Sequence, residues 1–333
     1  MQEKRTVEYT KKWLPLEEQV ERLAQRGLEV DDPARAVGLL QSIGYYRVTG
    51  YLYSFLESEE YVDDEDNTKI RVLNKYRPGT AVHHAESIIE FDRRLRLLVM
   101  EGVERIEVAV RMRTGYVLGR ASAFAHEDPD CFDDSFTRGN TDSRDPRASK
   151  QVEWLERVRQ RRDSSDEQFV VHFREKYDDH MPVWALTELL ELGHLSNLYR
   201  GMLQKDAEEV ALAFGVPKKK MMISWLASLN YVRNAAAHHA RLFNRKLQNA
   251  PSRPPIGSVP LLDHLRAPDA PKKDLGTYNA LAIIAYMLRS VEAERSWALR
   301  LAELFRAFPA SHALTIQSIG VPDDWESLDL WRV

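Results

Sequence analysis

The stretch EFDRRLRLLVMEGVERIEVAVR, Glu90–Arg111, decides the fold of this chain. Phe91, Leu95, Leu98, Gly102, Ile106 and Val110 recur every three or four residues, with Ile88 preceding them in the same phase. That is the period of one buried face on an α-helix. Glu90–Arg94, Glu101–Arg105 and Glu107–Arg111 each set an acid four residues ahead of a base, as an exposed helical face favours. The pattern runs from Gly79 to about Arg120 and predicts a helix of roughly 30–40 residues, the spine of a bundle.

The same period returns over 182–202, 218–247 and 278–305 and predicts three further helices. Pro182 and Pro217 stand at two of their starts, where proline is tolerated. Leu281, Ile284, Ala285, Leu288, Val291 and Leu299 share one side of the last. Strand signals are sparse. Tyr61–Val72 alternates weakly, but the acids Glu57, Glu59, Glu60, Asp63, Asp64, Glu65 and Asp66 read better as a solvated loop than as a hairpin. Residues 126–147 are rich in Asp, Gly, Asn and Ser, and 249–274 hold six of the fifteen prolines, so neither is one continuous helix. The expectation is an all-α fold, integrated as one domain. It has an N-terminal helical extension (1–78), a helical core (79–248), a proline-rich linker (249–274) and a C-terminal helical layer (275–333).

Composition narrows the function classes. With 333 residues, 44% of them hydrophobic and 29% charged, wholesale disorder is excluded. The 47 basic and 51 acidic residues exclude a uniform cationic coat yet leave room for a local basic stripe. A single cysteine, Cys131, excludes an intramolecular disulfide and a cysteine-based zinc site. No apolar run approaches the roughly 20 residues that cross a bilayer, and MQEKRTVEYTKKW lacks a signal-peptide apolar region. A cytoplasmic protein with no membrane partner is expected. The motifs GxxxxGK[ST], GxGxxG, HExxH and GxSxG do not occur. His83 and His84 point about 100° apart on a helix and do not share an ion easily. No metal and no cofactor is expected.

One segment breaks the local rules: RNAAAHHARLFNR, Arg233–Arg245. If the helix continues through it, Asn234, His238, Arg241 and Arg245 fall at i, i+4, i+7 and i+11, on one stripe. Three alanines keep the surface between them flat, and no acid lies in the segment. Imidazole titrates near pH 6.5 and exchanges protons at cellular pH. Guanidinium stays charged and matches phosphate geometry. Those are the parts for RNA cleavage by 2′-hydroxyl attack, with His238 as acid or base and Arg233 stabilising the phosphorane. Arg233 and His238 are five apart, diverging by about 140° on an ideal helix. They converge only through a local distortion or a second copy. On spacing alone, such a pair is also what chance and surface packing produce.

Two further features carry candidates. Gly44-Tyr45-Tyr46-Arg47 through Tyr53 interleaves aromatics with an arginine. Most belong in a core, but Tyr46 and Arg47 can stack and pair with unpaired bases. Glu188 stands in an apolar run and, if buried, requires a cation such as Arg233 or Arg241.

At Arg233-Asn234 and His238 the sequence resembles the HEPN superfamily of RNases and nucleotide-binding domains. More specifically it resembles the Abi-like abortive-infection family, of the AbiD/AbiF type. The likeness is carried by Leu39–Leu56, Tyr76–Thr80, Glu90–Arg111, Met181–Tyr199, Val232–Arg245 and Gly320–Trp331, in order. The resemblance implies an all-helical HEPN-like bundle and a role in phage defence or toxin-like growth arrest. It also implies a homodimer whose two Arg/His sets line one cleft, and a structured RNA as substrate or partner. By position, Arg233 and His238 carry over as catalytic and Asn234 as supporting, while His239, Arg241 and Asn244 match an HHxRxxN extension. A metal-independent endoribonuclease is the leading expectation. A non-catalytic protein that holds a structured RNA through the same stripe is the alternative, and a protein–protein interaction domain the third.

Overall fold

The computed structural model describes residues 12–63, 65–139, 149–268, 270, 277–292 and 294–332. It divides into two compact units, one containing 12–91 with 308–315, the other 92–307 with 316–332. Residues 1–11 of the expected extension, 140–147 of the expected loop, and 269 and 271–274 of the expected linker lie outside the described residues.

The first unit opens with α1 (Leu16–Gln25), α2 (Pro33–Ile43) and α3 (Tyr45–Tyr51). Asp32 caps α2 by accepting the Arg35 N–H at 3.0 Å, and Pro33 takes the first helical position, where a missing N–H costs nothing. Gly44, at φ +88°, ends α2 and starts α3, so only one residue separates the two helices. Leu23, Leu40, Val48, Tyr51, Leu52, Phe55 and Ile88 form the core. Phe308 closes it, packing edge-on against Phe91 with centroids 5.0 Å apart.

The acidic stretch is a hairpin, not the loop its composition suggests. Strand β1 (Leu56–Val62) pairs antiparallel with β2 (Thr68–Tyr76), setting Glu59 opposite Arg71 and Tyr61 opposite Lys69. Acids of β1 and of the turn after it meet bases of β2, in the Glu59–Arg71, Glu57–Lys75 and Asp63–Lys69 pairs. Such cross-strand pairs are invisible to a reading that counts charge along a single segment. Asp63 closes the turn by accepting the backbone N–H groups of Glu65 and Asn67, each at 2.9 Å.

The spine of the fold is α4 (Val82–Gly119), a 38-residue helix as its period predicts. From Asp92 onward it belongs to the second unit, followed by α5 (Asp134–Thr137), α6 (Lys150–Asp163), α7 (Gln168–Tyr177) and α8 (Val183–Leu186). After these come α9 (Leu192–Gly201), α10 (Gln204–Leu212), α11 (Lys219–Ala237), α12 (Tyr278–Leu288) and α13 (Ser296–Arg306). The fold is thus mostly helical, with the one hairpin as the exception among the described residues. Buried Trp225, Leu226, Leu229 and Val232 seat α11 between α9 and α12. Gly102 is required where α4 meets α12 and α13. A Cβ there would stand 2.7 Å from both Ile284 Cγ2 and Trp297 Nε1. Trp297 fills that notch fully buried and donates Nε1–H to the Leu98 carbonyl at 2.7 Å.

Two of the long helices expected from periodicity are broken. The 182–202 pattern splits into α8, a 3₁₀ turn (Thr187–Leu189) and α9, with Leu190 and Glu191 extended between them. The 278–305 pattern splits into α12 and α13 around Arg295, at φ +51°, which leaves Val291 and Leu299 partly exposed rather than in the core. Segment 126–139 holds a 3₁₀ turn (Pro129–Cys131) and α5, and the proline-rich segment holds another 3₁₀ turn, Pro260–Arg266. Among the described residues no helix is long and apolar enough to cross a membrane.

Candidate functional site

The helix that carries Arg233 stops before the rest of the motif. α11 ends at Ala237, with His238 as its cap at φ −85°, ψ 16°. His239 takes the left-handed conformation at φ +56°, its N–H reaching the Ala236 carbonyl at 3.0 Å. The Ala240 N–H reaches the Ala235 carbonyl at 2.8 Å, completing a Schellman motif. The expected stripe of Asn234, His238, Arg241 and Arg245 on one continuous helix is therefore not formed. Asn234 lies in the last turn, His238 on the cap, and both arginines beyond the reversal.

Arg233 and Asn234 are brought together. Arg233 Nη1 donates to Asn234 Oδ1 at 3.1 Å, and Asn234 Nδ2 reaches Asn230 Oδ1, one turn back, at 3.5 Å. The Asn234 carbonyl accepts the His238 N–H at 3.0 Å, which fixes the backbone of the cap. Both imidazoles, His238 and His239, are exposed. Among the described residues the His238 ring has no hydrogen-bond partner.

A buried acid faces this cluster from α4. Glu107 is 5% exposed and ion-paired with Arg111 one turn on. Burial raises the pKa of its carboxyl, while the positive charges of Arg111 and Arg233 oppose that rise. Arg111 in turn donates Nε–H to the Leu190 carbonyl at 2.7 Å. The break between α8 and α9 makes that bond possible, because the extended Leu190 carbonyl is released from helical pairing. Gly115 lets α8 come close enough. A Cβ there would lie 3.0 Å from the Trp184 Cα. The segment Arg233–Arg245 holds no acid, yet its field is not purely positive, since Glu107 arrives from another helix.

A second acid anchors the chain after the cap. Asp92, fully buried on α4 and paired with Arg96, accepts the Leu242 and Phe243 N–H groups on one oxygen at 3.0 and 2.6 Å. Thr277 Oγ1–H bonds the Leu242 carbonyl at 2.7 Å. Asn244 is left-handed at φ +46° and exposed, and after it the chain doubles back. Arg245 Nε–H then meets the Tyr231 hydroxyl at 2.8 Å, with its guanidinium 5.4 Å from that ring's centroid. Its Nη1–H bonds the carbonyl of half-buried Arg241 at 3.2 Å.

Glu188 does not fill the place expected for it. It stands exposed on the 3₁₀ turn, and the carboxylate facing Arg233 is Glu107. Tyr46, 74% exposed, and half-buried Arg47 lie on α3 in the first unit. Sequence reasoning passed over Asp92, Asn230 and Tyr231. Asp92 alone left a signal, an acid one residue past buried Phe91 and four before Arg96. Asn230 and Tyr231 read only as part of a helix face.

Among the described residues no group of three or more His, Cys, Asp or Glu side chains is placed to hold a metal. No curated protein and no solved structure matches the chain. The family model of the Abi-like proteins matches residues 38–244, more than half of the chain and inclusive of Asp92, Glu107, Arg111, Arg233 and His238. The long helix, the buried acid–arginine pair and the capped Arg-Asn turn all fall within that match, and the chain belongs to the Abi-like protein family.

Proposed function

We propose that this protein is a metal-independent endoribonuclease of HEPN type, acting as a homodimer in abortive infection. Membership of the Abi-like family supports the defence role. The observation that carries the chemistry is the end of α11. A guanidinium held by Asn234 and attracted by buried Glu107 stands in its last turn, and an exposed imidazole caps it. In the proposed step His238 takes the proton of a ribose 2′-hydroxyl, whose oxygen attacks the adjacent phosphorus. Arg233 stabilises the charge that grows on the phosphoryl oxygens. The 5′-oxygen leaves with a proton from the imidazole of the second copy, giving a 2′,3′-cyclic phosphate and a 5′-hydroxyl. DNA lacks the attacking group, so the reaction selects RNA. Toxin-like growth arrest in the cytoplasm would follow from such cleavage.

A second reading has its own support. A ring with no hydrogen-bond partner among the described residues has no group fixing its tautomer, which suits a surface that holds a structured RNA without cutting it. One comparison separates the two. Wild type and His238→Ala are incubated with RNA in EDTA. The nuclease reading expects cyclic-phosphate ends from wild type and a loss of at least about 10²-fold in the variant. Equal, salt-sensitive binding with no cleavage by either protein establishes the second reading instead.

A further inference from the structure

We propose that the first unit carries an RNA contact of its own, a groove between α1 and α3 that stacks unpaired nucleobases. The proposal rests on the RNA reading above but not on catalysis. Two hollows of about 210 and 350 Å³ share Arg22, Tyr45 and Tyr46 and so lie side by side along these residues. The larger is within the roughly 300–1,000 Å³ range of small-molecule sites. Trp13 and Tyr46 present their rings to solvent, 84% and 74% exposed, and Tyr53 lies at the far end, 55% exposed. Isolated exposed aromatics need no explanation. Three lining one groove do. Tyr45 and Tyr46 stand edge to face, centroids 5.7 Å apart at 89°, which presents two differently oriented ring surfaces.

Charge selects the occupant. Among the described residues, Lys12, Arg22 and Arg26 line the groove and no acidic side chain does. Arg26 is positioned in advance. Its Nη1–H meets the Tyr45 hydroxyl at 3.3 Å, its Nε–H the Asn74 carbonyl at 3.4 Å, and its guanidinium lies 4.8 Å from the Tyr76 ring centroid. Alternating ring faces and fixed cations match a single-stranded polynucleotide, whose bases stack while its phosphates pair. A proline-rich peptide would also lie on the rings but gains nothing from three cations. A duplex hides its base faces. Lys12, Arg22 and Arg26, rather than Arg47, supply the positive charge here.

The test uses the full chain carrying His238→Ala, so that cleavage does not consume the probe. Fluorescence anisotropy measures binding of a labelled oligoadenylate and of a blunt RNA hairpin, with Tyr46→Ala or Tyr46→Phe added. The groove predicts that Tyr46→Ala weakens oligoadenylate binding about tenfold, that Tyr46→Phe leaves it unchanged, and that hairpin binding is unaffected. Arg22→Gln should flatten the salt dependence of oligoadenylate binding. Unchanged oligoadenylate affinity in Tyr46→Ala, an equal loss for the hairpin, or preferential capture of an oligoproline peptide overturns the proposal. If wild type proves unable to cleave RNA while Tyr46→Ala still loses oligoadenylate, the nuclease reading falls and the groove stands. The reverse pattern removes the groove alone.

Discussion

At the residue scale, Glu107 brings a buried negative charge to bear on Arg233 at the α11 terminus. A buried carboxylate is tolerable only when paired, and Arg111 is its partner. Arg111→Met should therefore cost about 3–5 kcal/mol in urea denaturation, since it strands the acid. Glu107→Gln keeps the size and removes the charge. It should cost less stability but lower RNA cleavage, because Arg233 loses the carboxylate that attracts it. If Arg111→Met proves no more destabilising than Glu107→Gln, the pair is not what the burial implies. Sequence spacing marked Glu107–Arg111 as an ordinary surface pair. What it could not convey is that the extended Leu190 reaches Arg111 of the pair, since that depends on a distant break in the chain. Glu188 is the opposite case. Its apolar neighbours suggested burial, and a 3₁₀ turn rotates it outward.

At the scale of elements, the legible helices were those whose period runs unbroken. α4 is the example. Its buried positions keep phase from Ile88 to Val110, so its length was readable. The 218–247 pattern misled because nothing in AAAHHAR resembles a stop. His239 and Asn244 adopt left-handed conformations where glycine is the usual signal. That strain is testable. His239→Gly should stabilise the protein by about 0.5–1 kcal/mol in thermal or urea unfolding, because glycine carries no Cβ penalty there. Cleavage should persist, as His238 and not His239 is assigned the proton transfer. Destabilisation by His239→Gly would show that the imidazole makes a contact worth more than the strain. The hairpin escaped for another reason, because its stabilising pairs join residues six to eighteen apart in sequence.

At the scale of the whole molecule, buried His126 and half-buried His264 weaken stability in acid. Burial brings the His126 pKa down to about 4, with Arg159 adding repulsion, and burial brings His264 down to about 4 as well. His264 is embedded in a chain of hydrogen bonds in which Trp331 Nε1–H donates to the Tyr278 hydroxyl at 3.0 Å and that hydroxyl meets His264 Nε2 at 2.9 Å. Below pH 6.5 the unfolded chain takes up protons that the folded state refuses until about pH 4. Stability should therefore fall as pH drops through that window, by up to about 1.4 kcal/mol per pH unit for each histidine. Urea midpoints between pH 7 and 4.5 measure the slope, and His264→Gln should make it shallower. A flat profile would mean that neither ring is held neutral.

The notch at Gly102 reaches beyond packing. Its occupant, Trp297, comes from the last hundred residues, past the 38–244 stretch that defines the family. A chain trimmed to that stretch would leave a slot the width of an indole along its longest helix and lose the hydrogen bond from the indole to the Leu98 carbonyl. The segment that carries Trp297 is a keystone rather than an ornament.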